Sequence, residues 1–279
     1  DEFKDRTGEI VSGVVRRFER SDVKIDLGKF EALLPNRERV PIEEYQIGER
    51  LRCYVKAVED TDFGPEIILS RADPEFVMTL FKNEVSEIAD GTVEIVAVAR
   101  EPGFRTKLAV HSRDTRVDPV GACVGLRGQR VKNIVRELNN EKVDIIKWDP
   151  DVQTYVTNCL APASLKAFDI DEANKRVKIS VIEDQLSLAI GKRGQNARLT
   201  SKITGWQIDI VAEKVEIVSF DDQVAKAIAA IATVPGISEE QADILVNSGF
   251  HTFEDLRQVD ADDIASLPNL AEDAQTIYD

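Results

Sequence analysis

One pattern occurs twice and limits what this chain can fold into. Val124-Gly125-Leu126-Arg127-Gly128-Gln129 returns, sixty-six positions on, as Ile190-Gly191-Lys192-Arg193-Gly194-Gln195. The match continues upstream without a gap, apolar on apolar, with Val120, Ala122, Cys123 and Val124 falling on Leu186, Leu188, Ala189 and Ile190. Downstream, each copy runs through a short amphipathic stretch into an apolar strand, Val143-Asp144-Ile145-Ile146 in one and Gln207-Ile208-Asp209-Ile210 in the other. A lone G-x-x-G carries little information, because ordinary tight turns produce it. Repeated between two helices, with cations in its variable slots both times, it predicts two copies of one small α/β unit.

Glycine has no Cβ, so such a loop can turn sharply and let a phosphate come close to the backbone. The helix that follows offers free N–H groups and the positive end of its dipole, and Arg127, Lys192 and Arg193 add full charges there. The arrangement resembles the K-homology (KH) family, in which the loop clamps the backbone of a single strand. The residues expected at RNA are Gly125, Leu126, Arg127, Gly128, Gln129 and Arg130 in the first copy. In the second they are Gly191, Lys192, Arg193, Gly194, Gln195, Asn196 and Arg198.

Around each loop the order of elements is the same. Asp73-Pro74 marks a boundary and a helix start, after which Val77, Leu80, Phe81, Val85 and Ile88 recur at helical spacing and predict a single apolar face. Strands at 92–99 and 106–111, a helix through 120–124, the loop, a helix with Val131, Ile134, Val135 and Leu138 inward, and a strand at 143–148 complete a unit over 73–149. The same α-β-β-α-loop-α-β order runs over 150–216, with the helix at 152–160, strands at 165–170, 177–182 and 206–211, and Gly205 as a helix stop. Helix-first order is the prokaryotic type of KH fold. The two units abut without a flexible linker, which predicts a rigid tandem.

Residues 1–72 read differently. Val23-Lys24-Ile25-Asp26-Leu27 alternates strictly, and five short strands separated by turn signals such as Gly28-Lys29 and Phe63-Gly64-Pro65 predict a barrel of the OB type. The stretch Gly28-Lys29-Phe30-Glu31-Ala32-Leu33-Leu34-Pro35 resembles the S1 family of RNA-binding domains. Such barrels stack bases on exposed aromatics beside cations, and the candidates are Phe18, Phe30 and Tyr54 with Arg16, Lys24 and Arg52. For each aromatic taken singly, a place in the barrel core is an equal alternative.

The net charge of −15 looks wrong for a nucleic-acid binder until it is divided. Residues 217–279 hold thirteen carboxylates against Lys226 and Arg257, a net −11, which leaves −4 for everything before them. No acid stands between Ala189 and Gly205, where Lys192, Arg193, Arg198 and Lys202 cluster. Local field, not total charge, attracts a phosphate backbone. The acidic segment reads as short helices around Val234-Pro235-Gly236-Ile237 and resembles a helix-hairpin-helix module. Helix-hairpin-helix modules often grip DNA phosphates, but acidic flanks repel them, so this one is expected to bind protein rather than DNA.

The remaining features exclude more than they add. Cys53, Cys123 and Cys159 are odd in number, widely spaced and set in apolar stretches, which predicts buried thiols and neither a disulfide framework nor a metal site. Only His111 and His251 are histidines, and no nucleophile–base set or phosphate-binding G-x-x-x-x-G-K-[ST] is present, so neither an enzyme nor a bound cofactor is expected. No run reaches the roughly 18 apolar residues of a membrane span. The chain opens on Asp1 and reads as strand by Ile10, as a piece of a longer protein would.

An α+β multidomain chain with an S1-type barrel, two KH units and an acidic helix-hairpin-helix tail resembles the NusA family of bacterial transcription termination and antitermination factors. Its most specific stretch is 184–206, D-Q-L-S-L-A-I-G-K-R-G-Q-N-A-R-L-T-S-K-I-T-G-W. The resemblance implies a cytoplasmic factor that binds nascent single-stranded RNA and RNA polymerase, works with other antitermination factors, and modulates pausing, termination and antitermination. It also implies an amino-terminal polymerase-docking domain ahead of Asp1, and the sequence departs from some members in carrying a single acidic repeat where they carry two. Two other readings use the same parts: an accessory subunit of an RNA-degrading or exosome-type assembly, and a ribosome-associated RNA-binding protein.

Overall fold

In a computed structural model that describes residues 4–213, 220–267 and 269–278, the alternating stretch near the amino terminus closes on itself. Strands β1 (Ile10–Glu19), β2 (Asp22–Asp26), β3 (Glu31–Leu34), β4 (Arg50–Thr61) and β5 (Gly64–Ser70) form a closed barrel in the order β1-β2-β3-β5-β4. Irregularities in register at Val15/Arg17 and Val55/Ala57 supply the extra local twist that closure needs. Val11, Val15, Val23, Ile25, Leu34, Cys53, Val55 and Leu69 fill the interior. Gly13 is required by crowding: a Cβ there would meet Ile25 Cγ2 at 2.4 Å.

Asp73 caps the next helix as expected, its carboxylate accepting from the Glu75 N–H ahead of Pro74. The single helix predicted over this stretch is broken, however, into α1 (Pro74–Glu84) and α2 (Ser86–Ala89). Val85 stands between them in extended backbone, φ −110° and ψ 105°, with its side chain fully buried in the core of the unit. Tertiary burial of a β-branched residue overrides the helical spacing here.

The first KH unit continues with β6 (Val93–Glu101), β7 (Arg105–Ser112), α3 (Pro119–Val124), α4 (Gln129–Glu137) and β8 (Lys142–Lys147). The second repeats it as α5 (Val152–Leu160), β9 (Ala167–Asp171), β10 (Arg176–Ile182), α6 (Glu183–Ile190), α7 (Gln195–Thr204) and β11 (Gln207–Glu213). Each sheet has three strands with the middle one antiparallel to one neighbour and parallel to the other. Gly205 ends α7 in the left-handed conformation, as its position predicts.

The tandem is welded by packing. Ala99, Ala109 and Ile146 on the first sheet bury against Tyr155, Cys159, Leu199 and Ile203 from α5 and α7. Buried Lys107 ends in the same seam, donating to Asp144 at 3.0 Å and to the Cys159 carbonyl at 2.7 Å. Burial lowers the Lys107 pKa, and the neighbouring Asp144 works against that shift. By register, Ala99, Ala109 and Ile146 correspond to Asp169, Ser180 and Val211 of the second sheet. Of these, Asp169 and Val211 are exposed and Ser180 is half-buried.

A second weld joins barrel and first KH unit. Arg71, 2% exposed, grips Glu43 through Nε (2.6 Å) and Nη2 (2.7 Å) and donates to the Arg52 and Glu137 carbonyls. Arg100 forms the matching pair with Glu141, both contacts at 2.9 Å, and reaches back to the carbonyls of Arg71 and Asp73. Asp1–Lys214 accordingly forms one compact unit, and Val215–Asp279 another. All three cysteines are buried free thiols, pushed up to about 12 by desolvation.

The second unit is helical: α8 (Phe220–Ala232), α9 (Glu239–Asn247), α10 (Phe253–Leu256), α11 (Ala261–Ala265) and α12 (Ala274–Tyr278) around Ile231, Leu245, Val246, Ile264 and Leu270. The Val234–Ile237 turn stands where expected, with the Ile237 N–H on the Val234 carbonyl. Ser238, Thr252 and Asp260 each close a capping box at the next helix. The last helix, α12, begins directly after Asp273 and adds to the helices that the sequence predicts. The expected boundary at 216/217 lies outside the described residues.

Truncating Arg100 to Ala strands the fully buried Glu141 carboxylate. Removing one partner of such a pair costs about 3–5 kcal/mol. Urea unfolding followed through Trp148 and Trp206, which lie in this first unit, should show a loss of that order; a loss below about 1 kcal/mol would mean that the weld contributes little.

Candidate nucleic-acid interface

The two glycine loops have the same backbone, angle for angle. Gly125 and Gly191 cap α3 and α6 at φ 75°, ψ 174° and φ 76°, ψ 169°. Arg127 and Arg193 both lie in the left-handed region, φ 53° and 54°. Gly128 and Gly194 precede α4 and α7 at φ 74° and 72°. Even the closing bonds repeat: Gly125 N–H to Gly121 O and Gly191 N–H to Ser187 O at 2.9 Å, then Gly128 to Gly125 O and Gly194 to Gly191 O at 3.0 Å. Each loop therefore leaves a compact 3-10 turn, at 126–128 and 192–194, on the amino-terminal end of a helix of nine or ten residues.

The side chains predicted at RNA divide into three groups. Arg127, Lys192 and Arg193 are exposed at the loop tips, as is Leu126, 85% exposed. These, with the glycine backbone, are the groups a phosphate chain can reach.

Arg130 and Asn196 occupy equivalent positions and turn inward, against expectation. Arg130 Nη1 donates to the Ala122 carbonyl at 2.7 Å and to Glu87 at 2.8 Å. Asn196, 2% exposed, donates to the Ala189 carbonyl at 3.0 Å and the Leu188 carbonyl at 3.4 Å. Both pin the end of the preceding helix to the start of the next. Their place is to shape the loop, because a helix terminus buried without partners for its carbonyls would be costly. They also explain the first glycine of each loop: a Cβ on Gly125 would meet Arg130 Cγ, and one on Gly191 would meet Asn196 Cβ, each at 2.7 Å. Gln129, Gln195 and Arg198 form the third group. Gln129 bonds Asn133 on its own helix, whereas Gln195 and Arg198 both reach Glu101 of the first unit.

On the barrel, Phe18 is 39% and Phe30 43% exposed. Phe18 sits opposite Val23 at one end of β2, and Phe30 in the turn beyond Asp26 at the other. The two rings thus stand at opposite ends of β2. Tyr54 is packed against the core of the first KH unit. The barrel cations are occupied: Arg16 pairs with Asp26, Lys24 with Glu66 at 2.9 Å, and Arg52 with Glu137 at 3.3 Å. Sequence reasoning could place the residues on strands but not their carboxylate partners.

The two glycines of the second loop should respond differently to substitution. Gly191→Ala drives a Cβ into Asn196, while at Gly194 the nearest atom to a new Cβ is Arg198 Nη1 at 4.0 Å. Asp tolerates the left-handed region at a cost of about 1–2 kcal/mol or less. Urea unfolding should therefore rank Gly191→Ala as the more damaging change, with Gly194→Asp folded and compromised at the loop itself. The reverse ranking would show that the second glycine is held by packing.

The sequence that builds this geometry is similar to known proteins. A family model described as the NusA-like first KH domain matches residues 71–148, and one described as the NusA-like second KH domain matches residues 152–218. The transcription termination/antitermination protein NusA of Halalkalibacterium halodurans is 49% identical over 212 residues, 76% of this chain and 56% of that protein. Its namesake in Thermus thermophilus is 42% identical over 257 residues, 92% and 63% of the respective chains. That in Rickettsia conorii is 38% identical over 272 residues, 96% and 54%. The chain thus spans a little over half the length of these curated relatives. With both KH models matched in tandem, and relatives 38–49% identical aligned over 76–96% of the chain, the chain belongs to the NusA family.

Proposed function

We propose that this chain is the RNA-engaging part of a bacterial transcription termination and antitermination factor. It binds single-stranded RNA by its phosphate backbone at the two glycine loops, in the cytoplasm and without catalysing a reaction. The observation that carries the reading is the angle-for-angle repeat of the loops, each on a helix amino terminus with Arg127 or Lys192 and Arg193 exposed at its tip. One such loop is a turn; two held at a fixed separation by a packed seam suit a continuous strand. Donors and a positive dipole end at that place suit an anion. The relatives' shared name, transcription termination/antitermination protein, supports the transcriptional setting, and RNA polymerase and other antitermination factors are then the protein partners.

The acidic unit takes a protein and not DNA. Its hairpin turn is followed directly by Glu239, Glu240 and Asp243, which are exposed, so a phosphate approaching the turn would meet like charge.

Each phosphate contact contributes about 0.7 to the slope of log affinity against log salt for a single strand. Replacing both Lys192 and Arg193 by Asp in the full chain should weaken binding of a short unstructured RNA and flatten that slope by about 1.4. Duplex DNA should bind more weakly than the RNA throughout. Unchanged affinity and slope in a folded variant would refute a phosphate clamp at the second loop.

A further inference from the structure

The two loops share a backbone but not their surroundings. In the first unit, Gln129 bonds Asn133 and Lys132 donates to the Arg127 carbonyl at 3.1 Å, all within one helix and its loop. The equivalent pair in the second unit crosses the seam. Gln195 Nε2 donates to Glu101 Oε2 at 2.9 Å, and Arg198 Nε to Glu101 Oε1 at 2.6 Å. Both oxygens of one carboxylate, at the end of β6 in the first unit, are taken by the helix that follows the second loop. Arg198 Nη1 also donates to the Arg193 carbonyl at 3.2 Å. One guanidinium thus bridges the backbone of the second loop to a carboxylate of the first unit.

The pairing is one-sided in exposure. The Glu101 side chain is 20% exposed and that of Arg198 48%. The Arg198 hydrogen bond holds the Glu101 carboxyl below the ordinary glutamate range, with Gln195 and the charge of Lys202 adding to it. Glu101 is therefore ionised at neutral pH. A phosphate that recruited Arg198 would have to compete with this carboxylate for the same guanidinium and break a 2.6 Å charged hydrogen bond.

We infer that Glu101 is a positioning residue for RNA: it neutralises Arg198 and holds Gln195, so that the second loop presents Lys192 and Arg193 alone to the phosphate backbone. The inference rests on the RNA reading above and refines it. Arg198 is the residue that sequence alone would add to the clamp, being basic, exposed and one turn into the helix. The structure assigns it instead to the seam. Counterions are released only where a phosphate meets a cation that is not already compensated, so Arg198 contributes nothing to the salt dependence while Glu101 is in place.

The test is a set of salt titrations of a short unstructured single-stranded RNA against the full 279-residue chain. Glu101→Gln keeps the size of the side chain and an acceptor for Arg198 but removes the charge. It should tighten binding at low salt and steepen the log–log slope by about 0.7, one phosphate contact. Arg198→Gln alone should leave the slope at the parent value, and the double variant should return to it. A Glu101→Gln slope equal to the parent's or flatter overturns the inference, as does an Arg198→Gln variant flattened by about 0.7. The Lys192/Arg193 double substitution separates the two readings. If it flattens the slope while Glu101→Gln fails to steepen it, the RNA clamp stands and the role of Glu101 falls. If it changes nothing, both fall. Trp148 and Trp206 fluorescence during urea unfolding checks that each variant is folded.

Discussion

Two buried arginines fix the barrel on the first KH unit. Arg71 and Arg100 sit at the end of the barrel and on β6, each clasping a carboxylate with two nitrogens and spending its remaining donors on backbone carbonyls across the junction. A buried pair of this kind gains little over a well-packed apolar substitute, because desolvation offsets most of the Coulomb attraction. Its value lies in geometry. Two planar forks satisfied at both ends allow one orientation of barrel on KH unit, where an apolar contact would tolerate several.

The second joint, between the KH units, works by shape and repetition. Small residues on the first sheet, Ala99 and Ala109, make room for Tyr155, Leu199 and Ile203. Because α7 both fills this seam and carries the second loop at its amino terminus, the loop cannot tilt without disturbing a packed core. That coupling fixes the spacing of the two loops. The same helix also makes the polar contacts of the seam: Leu199 and Ile203 are buried in its core, and Gln195 and Arg198 reach the carboxylate of Glu101.

The parts of this architecture governed by local rules were legible in the sequence. Strand alternation gave the barrel, Asp73-Pro74 gave the start of α1, and glycine spacing gave both loops together with the cations at their tips. Contacts between residues far apart in sequence were not legible. Nothing near Arg130 announces Glu87, nothing near Arg198 announces Glu101, and the hidden partners of Arg16, Lys24 and Arg52 lie on other strands or in the next domain. Asn196 illustrates the point within a single motif. It was expected at RNA because it follows the loop, yet it is buried because the helix before the loop leaves carbonyls that need a donor. The break at Val85 has the same origin, a tertiary demand overriding a local periodicity.

The central claim is that both loops, held in register by the rigid tandem, engage one strand of RNA at once. Hydrogen–deuterium exchange on the full chain, with and without a saturating single-stranded RNA long enough to span both units, tests it most directly. The account predicts slowed exchange at residues 125–130 and 191–196 together, with the amides of the acidic helical unit unchanged. Protection confined to one loop would contradict a shared track, and unchanged exchange at both would contradict the phosphate clamp itself.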